Sequence, residues 1–350
     1  MAAICVLIMD ACKSSRSISS TNETSSSFVI PFGWPKPALN IFKDNPLTEE
    51  GFQLGRRLFY DGILSRDGSL SCGTCHQQFA AFSSFDHNFS HGINNTFTTR
   101  NAPGLFNLAW MKEMHWDGGV NHIEVQPLSP ITAHNEMGSI LDTVLYNLQK
   151  DNSYKTYFKK AFGDTVINSQ RMLKALAQFT GSIQSYNSKY DKVKNGNAMF
   201  TISEKKGYEF FKTNCSACHK EPLFTDNSFH NNGLSINDKL NDWGQMIISK
   251  KVADSLKFKT PSLRNVAVTL PYMHDGRFIN LSKVIEHYRN LDTANSKNLD
   301  PILKAKKINI SQTERVDLMA FLYTLTDSVL IHNPRFSSPV NSSPIFKHQH

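Results

Sequence analysis

Two short segments constrain this chain more than any other feature. LSCGTCHQQF (70–79) and NCSACHKEPLF (214–224) each place two cysteines two residues apart with a histidine directly after. They are Cys72, Cys75 and His76, then Cys215, Cys218 and His219. With 6 cysteines and 13 histidines in 350 residues, chance supplies only about 0.004 of one such motif. Cysteines at this spacing can add to the two vinyl groups of one haem, and the next residue is then held under the iron as its axial ligand. Zinc sites and redox dithiols also use CxxC pairs. Here the pairs lie far apart in the chain, and a histidine follows each. The remaining cysteines, Cys5 and Cys12, lie in the leader, so no thiol is left over for a disulfide. The chain is built for two covalently attached c-type haems.

The flanking sequence repeats as well. GRRLF (55–59) precedes the first motif and GYEFF (207–211) the second. Thr48 can N-cap the first of these helices, with Glu49 and Glu50 in its first turn. Each half then closes in a similar helix. Ser169 opens one with apolar residues at 172, 173, 176, 177, 179 and 183; Ser311 opens the other with an inward stripe at 318, 321, 322 and 325. Ser311 and Glu314 form a capping box. The expected fold is mainly α: two c-type cytochrome domains from a duplicated helical unit, one haem each, with long loops and little strand. Loops of that length in a compact unit are usually functional or cofactor-bound. The expected boundaries are 31–190, a polar linker at 191–198, 199–335, and a polar tail at 336–350.

A net charge of +8 raises nucleic acid as a partner. The lysines and arginines are dispersed, however, and no aromatic-plus-basic reading module occurs, so none is expected. At the start, residues 2–9 are almost wholly apolar but too few to span a bilayer. Ala11 before Cys12, then a polar run, resembles a bacterial lipoprotein signal over 1–12, although its first residues lack the usual positive charge. Residues 13–30 read as a Ser-rich tether. Attachment of c-type haem outside the bacterial cytoplasm points the same way. The expected location is the periplasm, with membrane contact only through a lipid on Cys12.

The segment between the haem motifs adds catalysis. RNAP (100–103), WDGG (116–119), Gln126, Pro130 and the Glu136–Met137 pair are followed by LFTDNSFHNNG (223–233), FKTPSLRNVAVTLPYMHDGRF (258–278) and VIEHY (284–288). Over roughly residues 35–330 the chain resembles the bacterial dihaem cytochrome c peroxidase family, including its MauG-like branch. The resemblance implies an exported peroxidase acting on hydrogen peroxide at the first haem. Glu136 stands where the family has its distal glutamate, suited to shuttle a proton if apolar surroundings raise its pKa. Gln126 would orient peroxide beside it, and Pro130 belongs to the same motif. Trp116 resembles the tryptophan between the haems. Asn101, Thr269 and Pro271 match positions around an inter-haem calcium, the last two through backbone carbonyls.

At the far side of the second haem the resemblance implies Tyr288, the mark of the MauG-like branch, with His287 and Met273 as alternatives. His87 and His91 lie in the loop from which some relatives ligate the first iron; MauG-like members leave it open, and the first iron is expected open here. His115, His122 and His134 crowd the region without assigned roles, and Trp110 and Trp243 are further candidate stops for a migrating hole. Electrons would come from a small redox protein, a cytochrome c or cupredoxin, or from residues of a partner protein. The chain itself would be a monomer or homodimer. The competing class is a dihaem electron carrier with no chemistry of its own, which would leave Glu136 and Gln126 without work; a peroxide sensor is remoter.

Overall fold

The computed structural model describes residues 28–294 and 296–339. The expected signal (1–12), nearly all of the tether (13–30) and most of the tail (336–350) lie outside the described residues. Helices dominate, as expected. The first half carries α1 (Glu49–Tyr60), α2 (Cys72–Cys75), α3 (Leu128–Thr132), α4 (Leu141–Lys150), α5 (Asn152–Phe162) and α6 (Ser169–Ser182). Then follow α7 (Lys189–Lys194), α8 (Ile202–Asn214), α9 (Met246–Ser249), α10 (Leu281–Arg289), α11 (Pro301–Ala305), α12 (Gln312–Tyr323) and α13 (Ser328–His332). The only sheet among the described residues pairs β1 (Phe229–His230) antiparallel with β2 (Phe258–Lys259). No described helix is long and apolar enough to cross a membrane.

Helix starts follow local chemistry. The Thr48 side chain accepts from Gly51 N at 3.0 Å to cap α1, and the Ser311–Glu314 capping box is formed at α12. A second box, Thr201 with Glu204, starts α8.

The duplication is a packing fact. In the first half α1 crosses α6 at Gly55, where a Cβ would sit 1.9 Å from Ala175 O; in the second, α8 crosses α12 at Gly207, where a Cβ would sit 1.9 Å from Asp317 O. Only glycine lets the backbones approach so closely. Four residues on, Phe59 packs on Phe179 with ring centroids 5.0 Å apart, and Phe211 on Phe321 at 5.1 Å. Phe82 and Phe224 complete the two aromatic triplets. All six rings are buried. They head two separate cores, one built on α1, α4, α5 and α6 and the other on α8, α10 and α12.

Two stretches depart from the simple division of the sequence. Asp191, the first residue of the expected linker, and Tyr190 just before it are buried in α7, where Arg264 grips the Asp191 carboxylate through two nitrogens at 2.8 Å each. Leu330 and Phe336, near the expected end of the second unit and start of the tail, pack instead into the first core. Residues 330–336 thus strap the halves together. Asp327 is the knot: its carboxylate accepts from Tyr186 N and Asn187 N at 2.9 Å and from Leu330 N at 3.1 Å.

Candidate functional site

Each CxxCH histidine is set by a backbone reversal. Phe82 (φ 59°) and Phe224 (φ 56°) lie in the left-handed region, costly for a bulky side chain. Their burial against the aromatic triplets holds them there. The reversal aims one carbonyl at each imidazole: His76 Nδ1 lies 2.8 Å from Phe82 O, and His219 Nδ1 lies 3.1 Å from Phe224 O. A backbone N–H completes each corner, Leu105 N to Phe82 O and Leu263 N to Phe224 O, both at 3.2 Å. With Nδ1 donating to a carbonyl, each ring keeps its Nε2 lone pair for a metal. Burial lowers both histidine pKa values, favouring this neutral form.

One continuous cavity of about 660 Å³ runs between the halves, lined by His76 and Cys75 of the first motif and by His219, Cys215 and Cys218 of the second. Cys72 packs against the first core. All four cysteines are free. Burial pushes the Cys72 and Cys215 thiols up to about 12 and the Cys218 thiol to about 11. A large, mostly apolar space lined from each half by a CxxCH histidine and at least one of its cysteines fits two thioether-linked haems.

The structure brings most of the expected site residues to this cavity: Asn101, Trp116, Gln126, Pro130, Glu136, Thr269, Pro271 and Tyr288 all line it. Trp116 is held from both halves. Its Nε1 donates to Asn101 O at 2.8 Å, and its own carbonyl accepts from Lys259 N at 2.8 Å. Arg100 ties RNAP to WDGG through Asp117 at 2.5 Å and to the second half through Asp242 at 2.6 Å. Glu136 follows α3 on a turn, and burial raises its carboxyl above the ordinary value. The Asn101 side chain is buried and reaches the His87 and Asn88 carbonyls only at 3.4 and 3.3 Å.

On α10, Leu281, Val284, Ile285 and Tyr288 form the cavity-facing stripe, the i, i+3, i+4, i+7 pattern of one helix face. Burial pushes the Tyr288 phenol up to about 12. His287 falls off this stripe, with Nε2 3.0 Å from Asn232 O. Met273 does line the cavity, and its sulfur lies 3.5 Å from Asn232 Nδ2. His87, His91, His122 and His134 do not line the cavity. His87 and His91 instead stack edge to face with centroids 5.2 Å apart.

Sequence reasoning leaves several groups without a role. Lys259 is buried in the cavity wall, donates to Glu113 O at 2.7 Å, and is pulled down to about 8 by burial. His274 stacks on Phe258 at 3.7 Å and is lowered to about 4 by burial. His230 sits between Asp300 at 2.6 Å and Asp226 at 2.9 Å. His115, beside Trp116, reaches Gln126. Lys259, His274 and His230 are marked in the sequence only by their positions inside the long motifs.

Two CxxCH motifs opening on one cavity define a protein of the two-haem c-type class. The model of the di-haem cytochrome c peroxidase family matches residues 49–199. The methylamine utilization protein MauG of Methylophilus methylotrophus is 35% identical over 82% of this chain and 85% of its own length. The cytochrome c551 peroxidase of Nitrosomonas europaea is 30% identical over 87% of each. Among solved structures, a MauG-like protein associated with microbial copper homeostasis superposes with a TM-score of 0.82 at 33% identity, covering 89% of this chain and 99% of that one. The dihaem peroxidase BthA of Burkholderia thailandensis shares the fold, with a TM-score of 0.72 at 20% identity. The chain belongs to the di-haem cytochrome c peroxidase family. It is accordingly a haem peroxidase oxidoreductase whose cofactors are two haems, with hydrogen peroxide and a redox protein as the general partners.

Proposed function

We propose that the first half carries the peroxide-reacting haem and the second half the haem that stores or passes electrons. Cys72 and Cys75 would attach the first and His76 ligate it; Cys215, Cys218 and His219 would do the same for the second. The iron supplies a Lewis-acidic, redox-active centre for peroxide. Everything else falls to side chains. Glu136, whose carboxyl burial raises above the ordinary value, takes a proton from the attacking peroxide oxygen and returns it to the leaving one, so water departs rather than hydroxide. Gln126 holds the peroxide beside it, and Pro130 shapes the wall. Trp116, fixed from both halves, passes the electron or hole between them.

The observation that carries this reading is that Glu136, Gln126 and Trp116 share one cavity with both CxxCH motifs. Tyr288 is the proposed far ligand of the second haem, supported by the α10 stripe that leaves His287 out. A phenolate favours the oxidised metal, which supports the MauG-like variant in which electrons come from residues of a partner protein rather than a cytochrome c or cupredoxin. Asn101, Thr269 and Pro271 form the proposed calcium site between the halves, and Asn101's weakly engaged amide supports it. Export to the periplasm, with a lipid on Cys12, completes the proposal.

The test adds stoichiometric H2O2 to fully ferric protein and follows the Soret and near-infrared absorption. Prompt loss of the ferric Soret band with a new near-infrared band supports shared oxidation and tyrosine ligation. No change until one electron is added would point to a donor-gated peroxidase with a histidine such as His91 on the first iron. No change under either condition would leave the electron carrier.

A further inference from the structure

His115 precedes the tryptophan of WDGG, and the backbone there is turned into the left-handed region, φ 64°. Non-glycine residues hold this conformation uncommonly, with histidine, asparagine and aspartate the most frequent among them. Here it places the imidazole in the wall of the cavity that Gln126 and Glu136 also line. His115 Nε2 lies 3.4 Å from Gln126 Nε2, the one hydrogen bond of either side chain among the described residues. Burial disfavours the charged ring, Asp117 favours it, and Lys259 and Arg100 oppose it; the balance lies below the ordinary histidine value of 6.5. The neutral ring is therefore favoured relative to a free histidine.

We propose that His115 decides which end of the Gln126 amide faces the peroxide. This rests on the reading of Glu136 and Gln126 as the peroxide-side groups. A neutral ring carrying its proton on Nδ1 accepts at Nε2 from the Gln126 N–H. The amide oxygen then faces the cavity and accepts a hydrogen bond from peroxide O–H. When His115 takes a proton from solvent, Nε2 becomes a donor. The amide must rotate to meet it with its oxygen, which turns the NH2 end to the cavity. One proton thus reverses the polarity of the pocket wall without moving the backbone. His115 is a positioning residue acting through Gln126, and it tunes whether the pocket favours a hydrogen-bond donor such as peroxide or an acceptor.

Fluoride is the probe, because it binds ferric haem, accepts hydrogen bonds and donates none. Its affinity is read from the absorption of the ferric holoprotein between about pH 4.5 and about pH 8, across the histidine range. Three proteins are compared: wild type, E136Q and E136Q/H115N. Removing the Glu136 carboxyl isolates the His115 titration, and asparagine tolerates the left-handed backbone. In E136Q, fluoride should bind about tenfold more tightly as the pH falls through a midpoint below 6.5, the scale of one hydrogen bond gained beside a charge. E136Q/H115N should be flat. A flat profile in E136Q, or a rise retained in E136Q/H115N, overturns the proposal. Failure of the underlying reading looks different: E136Q would then match wild type at every pH, and the proposal would fall with it.

Discussion

Replacing Gly207 by alanine tests the duplicated helix crossing. In an exposed helix the change would stabilise by about 1 kcal/mol through helix propensity. At this position the new Cβ would lie 1.9 Å from Asp317 O, 2.5 Å from its carbonyl carbon and 2.9 Å from Phe321 Cβ. Ordinary contact begins near 3.4 Å, so α8 and α12 must part by about 1.5 Å, and the aromatic triplet above them loses its packing. Overpacking of this kind costs about 1–3 kcal/mol, and more where backbone rather than side chain must move. The expected net effect is a loss of about 2 kcal/mol in Gly207→Ala. The same loss is expected in Gly55→Ala, where the clash with Ala175 O is equally close. Each should lower the midpoint of thermal unfolding, followed by far-ultraviolet circular dichroism of the holoprotein, by several degrees. A midpoint unchanged or raised in either variant would refute the argument that glycine sets these crossings.

Asp327→Ala should cost about 2–5 kcal/mol, since it strands one buried and two part-buried backbone N–H groups; denaturant unfolding measures it, and a loss below about 1 kcal/mol would remove Asp327 as the knot between the halves. His230→Gln should destabilise in a pH-dependent way. The histidine's folded pKa is raised by Asp300 and Asp226, so its contribution is fully present below the unfolded value of 6.5 and fades as pH rises through the raised folded value. The gap in unfolding midpoint between wild type and variant should be wide near pH 6 and narrow near pH 9, and a gap constant across that range would contradict the charged Asp–His–Asp arrangement. Tyr288→Phe should shift the ferric absorption spectrum while leaving both haems covalently attached; an unchanged spectrum would pass the ligand role to Met273, which also lines the cavity.

Much of this was legible in the sequence because it is local. The CxxCH spacing, the N-caps at Thr48 and Ser311, and the GRRLF–GYEFF match depend on residues a few positions apart. The structure extends the repeat to Pro103-Gly-Leu-Phe-Asn107 and Pro261-Ser-Leu-Arg-Asn265, whose leucine N–H groups complete the two histidine corners and whose asparagines both adopt positive φ. That match was present in the letters, but only five residues long and carried by turn types rather than hydrophobic period. The return of residues 328–336 to the first core was not legible, since an apolar pair such as Leu330 and Phe336 does not say which of two cores it enters. The setting of His115 was equally hidden. Its importance comes from a left-handed backbone and a neighbour eleven positions on, and neither leaves a periodic signal.

The most direct test of the central claim is the second-order rate at which ferric protein reacts with H2O2, measured by stopped-flow Soret absorption in wild type and Glu136→Gln. The account predicts a slowing of about 10²–10⁴-fold, the range of general acid–base catalysis. It also predicts a wild-type rate that climbs with pH through a midpoint above the ordinary 4.5, a step absent from the variant. A variant that reacts at the wild-type rate with the same pH profile would contradict the account and leave two haems without a catalytic pocket between them.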